Sequence, residues 1–213
     1  MIRRGATLLI ATRNGGKTKE FREAFGAIGI DVKDLRDFEG IPEIEETGET
    51  FADNAFIKAK AVAEIASLPV LADDSGLCVD ALGGAPGVYS ARYSGEGATD
   101  AKNNAKLLAE LASVGAKADA GGAGEAEALS AARFVCALAL YDPADESIVQ
   151  VEGTVEGYIL REPRGADGFG YDPLFWVPSH GRSMAELTVA EKNAISHRGK
   201  ALAELIGKIE VTE

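Results

Sequence analysis

The chain has 213 residues, which suits one domain or two small lobes, and 46% of them are hydrophobic, ample for a packed core. Its formal net charge of -12 repels nucleic-acid backbones and acidic membrane surfaces, so neither nucleic acid nor membrane is an expected partner. A polyanionic small substrate would need a local basic pocket or a metal ion. Cys78 and Cys136 both sit in apolar contexts, "GLCVDAL" and "FVCALAL", and read as buried, reduced core thiols, which suits a cytoplasmic protein.

The N-terminal apolar run covers only residues 6–11, and "RNGGK" follows with no small-residue cleavage site, so it reads as a first core strand rather than a signal peptide. No apolar stretch is long enough to span a bilayer. Residues 7–12, "TLLIAT", read as a buried strand, "RNGG" as a turn, and residues 17–29 as a helix ended by Gly29. A short strand near "IDVKDL" follows. Between Thr50 and Ser67, the apolar residues Ala52, Ala55, Phe56, Ala59, Val62 and Ala66 recur at helical spacing. Next comes a strand, "LPVLA", running into Asp73 and Asp74. "ALGGAPG" is a Gly/Pro loop, and residues 99–113 form a second strong helix with Thr99 as its N-cap. Residues 115–128, rich in Ala, Gly and Glu, read as a low-complexity surface insertion. "RFVCALALY" and "SIVQVEGTVEGYIL" read as neighbouring strands. A final helix carries Ala201, Leu202, Leu205, Ile206 and Ile209 on one face, with Ser196 able to cap its start. Strands and helices mix without a clean βαβ repeat, which predicts an α/β fold with a mixed sheet.

Several stretches carry the chemistry. "ATRNGGKT" joins a strand to a helix, and backbone N–H groups at such a helix start, with Lys17 beside them, form an anion site. The same stretch fits a relaxed P-loop with Ala11 in place of the first glycine, so a P-loop ATPase or kinase is a competing reading. "EIEETGETF" places carboxylates before a helix, where they favour the macrodipole without further function. Set beside Asp73 and Asp74, they could instead share a hard cation such as Mg²⁺, which prefers oxygen ligands. Adjacent strand residues point to opposite faces, so only one of the two aspartates would face such a metal unless the strand ends between them. "GADGFGYDPLFWVP" reads either as an aromatic core plug or as a base pocket with a stacking face and an acidic acceptor. "EKNAISHRGKAL" reads on its own as a solvated, charged helix start. A nucleotide-sensing module without turnover is the other alternative.

The joint order of "ATRNGGKTKE", "EETGETFADNAFIKAKA", "LADDSGLCVDALGGAPGVYSARYSG", "GFGYDPLF" and "EKNAISHRGKAL" resembles the Ham1 family, the inosine triphosphate pyrophosphatases, over nearly the whole chain. The resemblance implies a single domain over residues 1–213, an elongated mixed sheet flanked by helices with a substrate cleft between two lobes, and a homodimer. It implies Mg²⁺-dependent hydrolysis of purine nucleoside triphosphates (ITP, dITP, XTP) to the monophosphate and pyrophosphate. It assigns Thr12, Arg13, Asn14, Gly15, Gly16 and Lys17 to the triphosphate loop and Glu45 and Asp74 to the metal, with Asp74 also the general base. Ser75, Phe169, Gly170, Tyr171, Asp172, Lys192, His197 and Arg198 fall to the rest of the substrate.

Overall fold

The computed structural model describes residues 2–3, 5–117, 127–209 and 211–212. In chain order the strands are β1 (Ile2–Arg3), β2 (Thr7–Ile10), β3 (Asp31–Asp34), β4 (Val70–Val79), β5 (Ala128–Asp142), β6 (Ser147–Leu160), β7 (Phe175–Val177), β8 (Arg182–Ser183) and β9 (Val211–Thr212). The α-helices are α1 (Gly15–Gly26), α2 (Phe51–Ala66), α3 (Asp100–Ser113), α4 (Val189–Ile195) and α5 (His197–Lys208). Seven strands form one sheet in the order β3-β2-β4-β5-β6-β7-β8, and β1 pairs with β9. The sheet is mixed: β2 is parallel to β3 and to β4, whereas β7 is antiparallel to β6 and to β8. The expected α/β class with a mixed sheet, and the pairing of the two long strands, are both borne out.

The chain divides into two compact units: residues 1–74, 136–153 and 200–213, and residues 75–135 and 154–199. Each has its own core. The first is built on Leu8, Ile10, Phe21, Phe25, Leu71, Leu138 and Leu205, and the second on Leu77, Leu107, Leu111, Phe134, Ile159 and Phe175. The helices bury what their spacing dictates. In α1, Phe21 and Phe25 lie one turn apart on the buried face; in α3, Asn103, Leu107 and Leu111 do the same. Thr50 caps α2 by accepting from the Asp53 N–H, and the helix ends on Ser67 in the left-handed conformation. Ser196 accepts from the Gly199 N–H at 3.0 Å, the cap expected for α5.

Three boundaries differ from the sequence reading. Helix α1 stops at Gly26, and Gly29 instead makes a left-handed turn into β3. Strand β4 does not end at the aspartates but continues to Val79, with both of them buried. Strand β5 begins at Ala128, so the end of the expected insertion belongs to the sheet; residues 118–126 lie outside the described residues. Among the described residues no helix is long and apolar enough to cross a membrane.

Candidate active site

In the first unit, β2 lies between two parallel neighbours, β3 and β4. The chain leaves β2 through α1 to β3 on one side and then returns through α2 to β4 on the other. Such a reversal opens a crevice at the carboxyl end of β2, the usual place for a ligand in an α/β sheet. Thr12, Arg13, Asn14, Gly15, Gly16 and Lys17 occupy that end. Asn14 caps α1: its side-chain oxygen accepts from the N–H of Gly16 at 2.9 Å and of Lys17 at 3.2 Å, while Thr12 Oγ1 accepts from the Asn14 N–H at 3.1 Å. The turn is therefore an asparagine-capped helix start. Two of the N–H groups that a P-loop would offer to phosphate are already bonded to Asn14, which counts against the P-loop reading. Arg13 donates to the Ile41 carbonyl at 2.9 Å and ties down the start of the acidic segment.

The two adjacent aspartates have different partners, as opposite faces of a continuing strand require. Asp73 accepts from Lys17 Nζ at 2.5 Å and, through its other oxygen, from the Cys136 thiol at 3.5 Å. Asp74 turns toward the acidic segment and α2. Burial, then the negative charge of Glu46, push its carboxyl up to about 6, against weaker pulls from Asn54, Lys58 and Lys17. Asn54 and Lys58 stand one turn apart on α2, and Lys58 is ion-paired with Glu46. Asn54 Oδ1 accepts from the Gly48 N–H at 2.7 Å, which aims its amide away from the segment. Gly48 is required there because a Cβ would lie 2.6 Å from Asp53 Cβ and 2.8 Å from Asn54 Oδ1. Asp74 Oδ2 and Asn54 Nδ2 are buried without a hydrogen bond.

An unsatisfied, buried carboxylate oxygen suits a hard cation, and the Asn54 amide beside it suits a phosphate oxygen or water. Among the described residues no group of three acidic, His or Cys side chains is preassembled around a metal. Mg²⁺ needs none, since it keeps several waters and takes ligands from substrate phosphates. The residues present fit such an ion. Glu45 is exposed, whereas its neighbour Glu46 is the acid that acts on Asp74. Sequence reading missed Glu46, Asn54 and Lys58 in this role; the one-turn spacing of Asn54 and Lys58 was the available signal.

The second unit assembles the remaining residues. Gly168 and Gly170 both adopt left-handed backbone, at φ of 84° and 60°, and hold up Phe169 between them, a residue 49% exposed. Asp172 is buried; its Oδ2 accepts from the Phe169 N–H at 3.0 Å and from Lys192 Nζ at 2.5 Å. Lys192 also stands over the Phe169 ring, 4.6 Å from its centroid. Tyr171 is a core residue whose hydroxyl donates to the Ser90 carbonyl at 2.9 Å; burial raises its pKa. His197 and Arg198 are buried, not solvated as their segment alone suggested. His197 stacks on Phe134 at 5.1 Å, and Arg198 Nη2 donates to Ser75 Oγ at 3.2 Å.

Comparison with known proteins shows what the chain as a whole is similar to. The sequence profile of the Ham1 family matches residues 8–208. A dITP/XTP pyrophosphatase of Halalkalibacterium halodurans is 53% identical over 92% of this chain and 95% of its own length. One from Streptococcus agalactiae is 52% identical over 95% of this chain, which spans only 59% of that longer protein. Among solved structures, a HAM1 protein from Coxiella burnetii superposes with a TM-score of 0.82 at 44% identity, covering 94% of this chain and 96% of that one. A nucleoside-triphosphatase described as a dITP/XTP pyrophosphatase from Mycobacterium abscessus gives a TM-score of 0.73 at 43% identity, covering 94% and 98%. On the profile match and on relatives of this identity and coverage, the chain belongs to the Ham1 family.

Proposed function

We propose that this protein hydrolyses non-canonical purine nucleoside triphosphates (ITP, dITP and XTP) to the nucleoside monophosphate and pyrophosphate, as a Mg²⁺-dependent cytoplasmic homodimer. The observation that carries the reading is Asp74: a buried carboxylate with a pKa of about 6, an unsatisfied oxygen, and Lys17 and Lys58 beside it. A group poised near neutrality serves best as a general base. The relatives named dITP/XTP pyrophosphatase support the substrate class.

In this reading ionised Asp74 takes a proton from the attacking water as the bond between the α- and β-phosphates breaks. Lys17 and Lys58 meet negative charge on the leaving pyrophosphate. Asp73 sets the Lys17 ammonium in place. Asp74 with Glu45 would hold Mg²⁺, which when bound neutralises phosphate oxygens and lowers the pKa of water. Glu46 keeps Asp74 basic. Thr12 and Asn14 shape the turn that receives the polyphosphate, with Arg13, Gly15 and Gly16.

For the base, Phe169 gives the stacking face and Lys192 backs it. Hypoxanthine and xanthine carry an O6 acceptor and an N1–H donor, the reverse of adenine. Arg198 is donor-only and Asp172 acceptor-only, so the pair matches the O6 and N1–H of ITP and XTP and mismatches the reversed pattern of ATP. Ser75 orients Arg198, His197 packs the segment behind it, and Gly170 and Tyr171 carry the loop. The test is kcat/KM for dITP and XTP against dATP. The reading expects the first two to exceed dATP by orders of magnitude; equal values would overturn it.

A further inference from the structure

The loop that carries Phe169 is fixed from outside by α3. Asp100 Oδ2 accepts from the Gly170 N–H at 2.7 Å, and Asn104 Nδ2 donates to the Gly170 carbonyl at 2.9 Å. Both polar groups of one peptide residue are thus held by two side chains one helical turn apart. Gly170 has left-handed backbone, so its two groups point where an ordinary residue's would not.

Helix α3 is itself a firm base. Leu107 and Leu111 anchor it in the second core, and Asn103 donates to the carbonyls of Ser90 and Ala91 at 3.3 and 3.2 Å. Tyr171, next to Gly170, bonds the same Ser90 carbonyl. Asn104 also carries a cost: its Oδ1 is buried without a partner. An apolar side chain at that place would avoid the cost, and the bond to Gly170 is what offsets it.

We propose that Asp100 and Asn104 form a clamp that positions Phe169, which makes them positioning residues for base recognition. The inference rests on the reading of Phe169 as the stacking face. A clamp of this kind acts on the base equally in ground and transition states, so it governs KM rather than kcat.

The test compares Asp100→Ala, Asn104→Ala and Asp100→Asn with the unaltered protein by two readouts. The first is hydrogen–deuterium exchange of the peptide covering residues 165–175. It should quicken in both alanine variants and stay slow in Asp100→Asn, whose amide oxygen still accepts from Gly170. The second is steady-state kinetics. Loss of a charge-assisted bond should raise KM for ITP about tenfold in Asp100→Ala with kcat nearly unchanged, while inhibition by inorganic tripolyphosphate, which has no base, stays the same. Asp100→Asn should return KM to near its original value.

Unchanged exchange in both alanine variants overturns the clamp. So does a quickened loop with unaltered KM, or equal behaviour of Asp100→Ala and Asp100→Asn, which would reduce Asp100 to a charge at a helix start. If the unaltered protein releases no pyrophosphate from ITP, the functional reading fails on its own, and the exchange comparison still decides whether Gly170 is clamped.

Discussion

Replacing Asp74 by Asn should stabilise the protein while removing its activity. The carboxyl rises from its ordinary 3.8 to about 6, mainly because it is buried, and it is only 8% exposed. The shift is worth ~3 kcal/mol. Its sign follows from proton counting. Below the unfolded value both states hold the proton and no penalty exists. Between the two values the folded state holds the proton and the unfolded state does not, so stability falls as pH rises. Above the folded value the carboxylate is ionised in both states and the full cost of burying charge is felt. Asparagine carries no such cost. With divalent ions removed, Tm of Asp74→Asn at pH 8 should exceed that of the unaltered protein by roughly 5–10 °C for a chain of this size. The gain should fall to about half at pH 5. Loss of the general base should lower kcat by ~10²–10⁴. A variant less stable than the original at pH 8, or a gain equal at pH 5 and pH 8, would refute the argument and make Asp74 an ordinary paired acid.

The surrounding residues give further expectations. Lys17→Ala removes the Lys17 ammonium from Asp73, whose side chain is 1% exposed, and should destabilise by ~3–5 kcal/mol; pairing it with Asp73→Asn should restore Tm but not the affinity for triphosphate. Glu46→Gln removes a negative charge that raises the Asp74 pKa, so the acid limb of the kcat/KM profile should move to lower pH; a limb that stays in place would detach Glu46 from Asp74. Gly48→Ala forces a methyl to 2.6 Å from Asp53 Cβ and should cost ~1–3 kcal/mol, read as a lowered urea midpoint. Arg198→Ala should narrow the gap in kcat/KM between ITP and ATP by about tenfold or more, whereas equal slowing of both would take Arg198 away from base reading.

Local chemistry was legible in the sequence where neighbours decide it. The turn after β2, the Thr99 and Ser196 caps and the apolar faces of α2 and α5 follow from residues within a turn or two of one another. What depends on distant partners was not. Two adjacent acids read as the end of a strand, because charge is seldom buried; β4 carries them through with Lys17, fifty-six residues away, paired to Asp73. Burial of His197 and Arg198 depends likewise on Phe134 and Ser75. The acidic segment showed several carboxylates but not which one turns inward, since that choice is made by Lys58 and by the close approach at Gly48. Tyr171 sits in a stretch that looked like a base pocket, yet its hydroxyl is spent on Ser90.

The central claim is that the bond broken lies between the α- and β-phosphates. Incubating the protein with ITP and Mg²⁺ and separating the products measures this directly. The account predicts inosine monophosphate and pyrophosphate in equal amounts, with neither appearing in Asp74→Asn. Inosine diphosphate with orthophosphate, or no turnover of ITP at all, would contradict it.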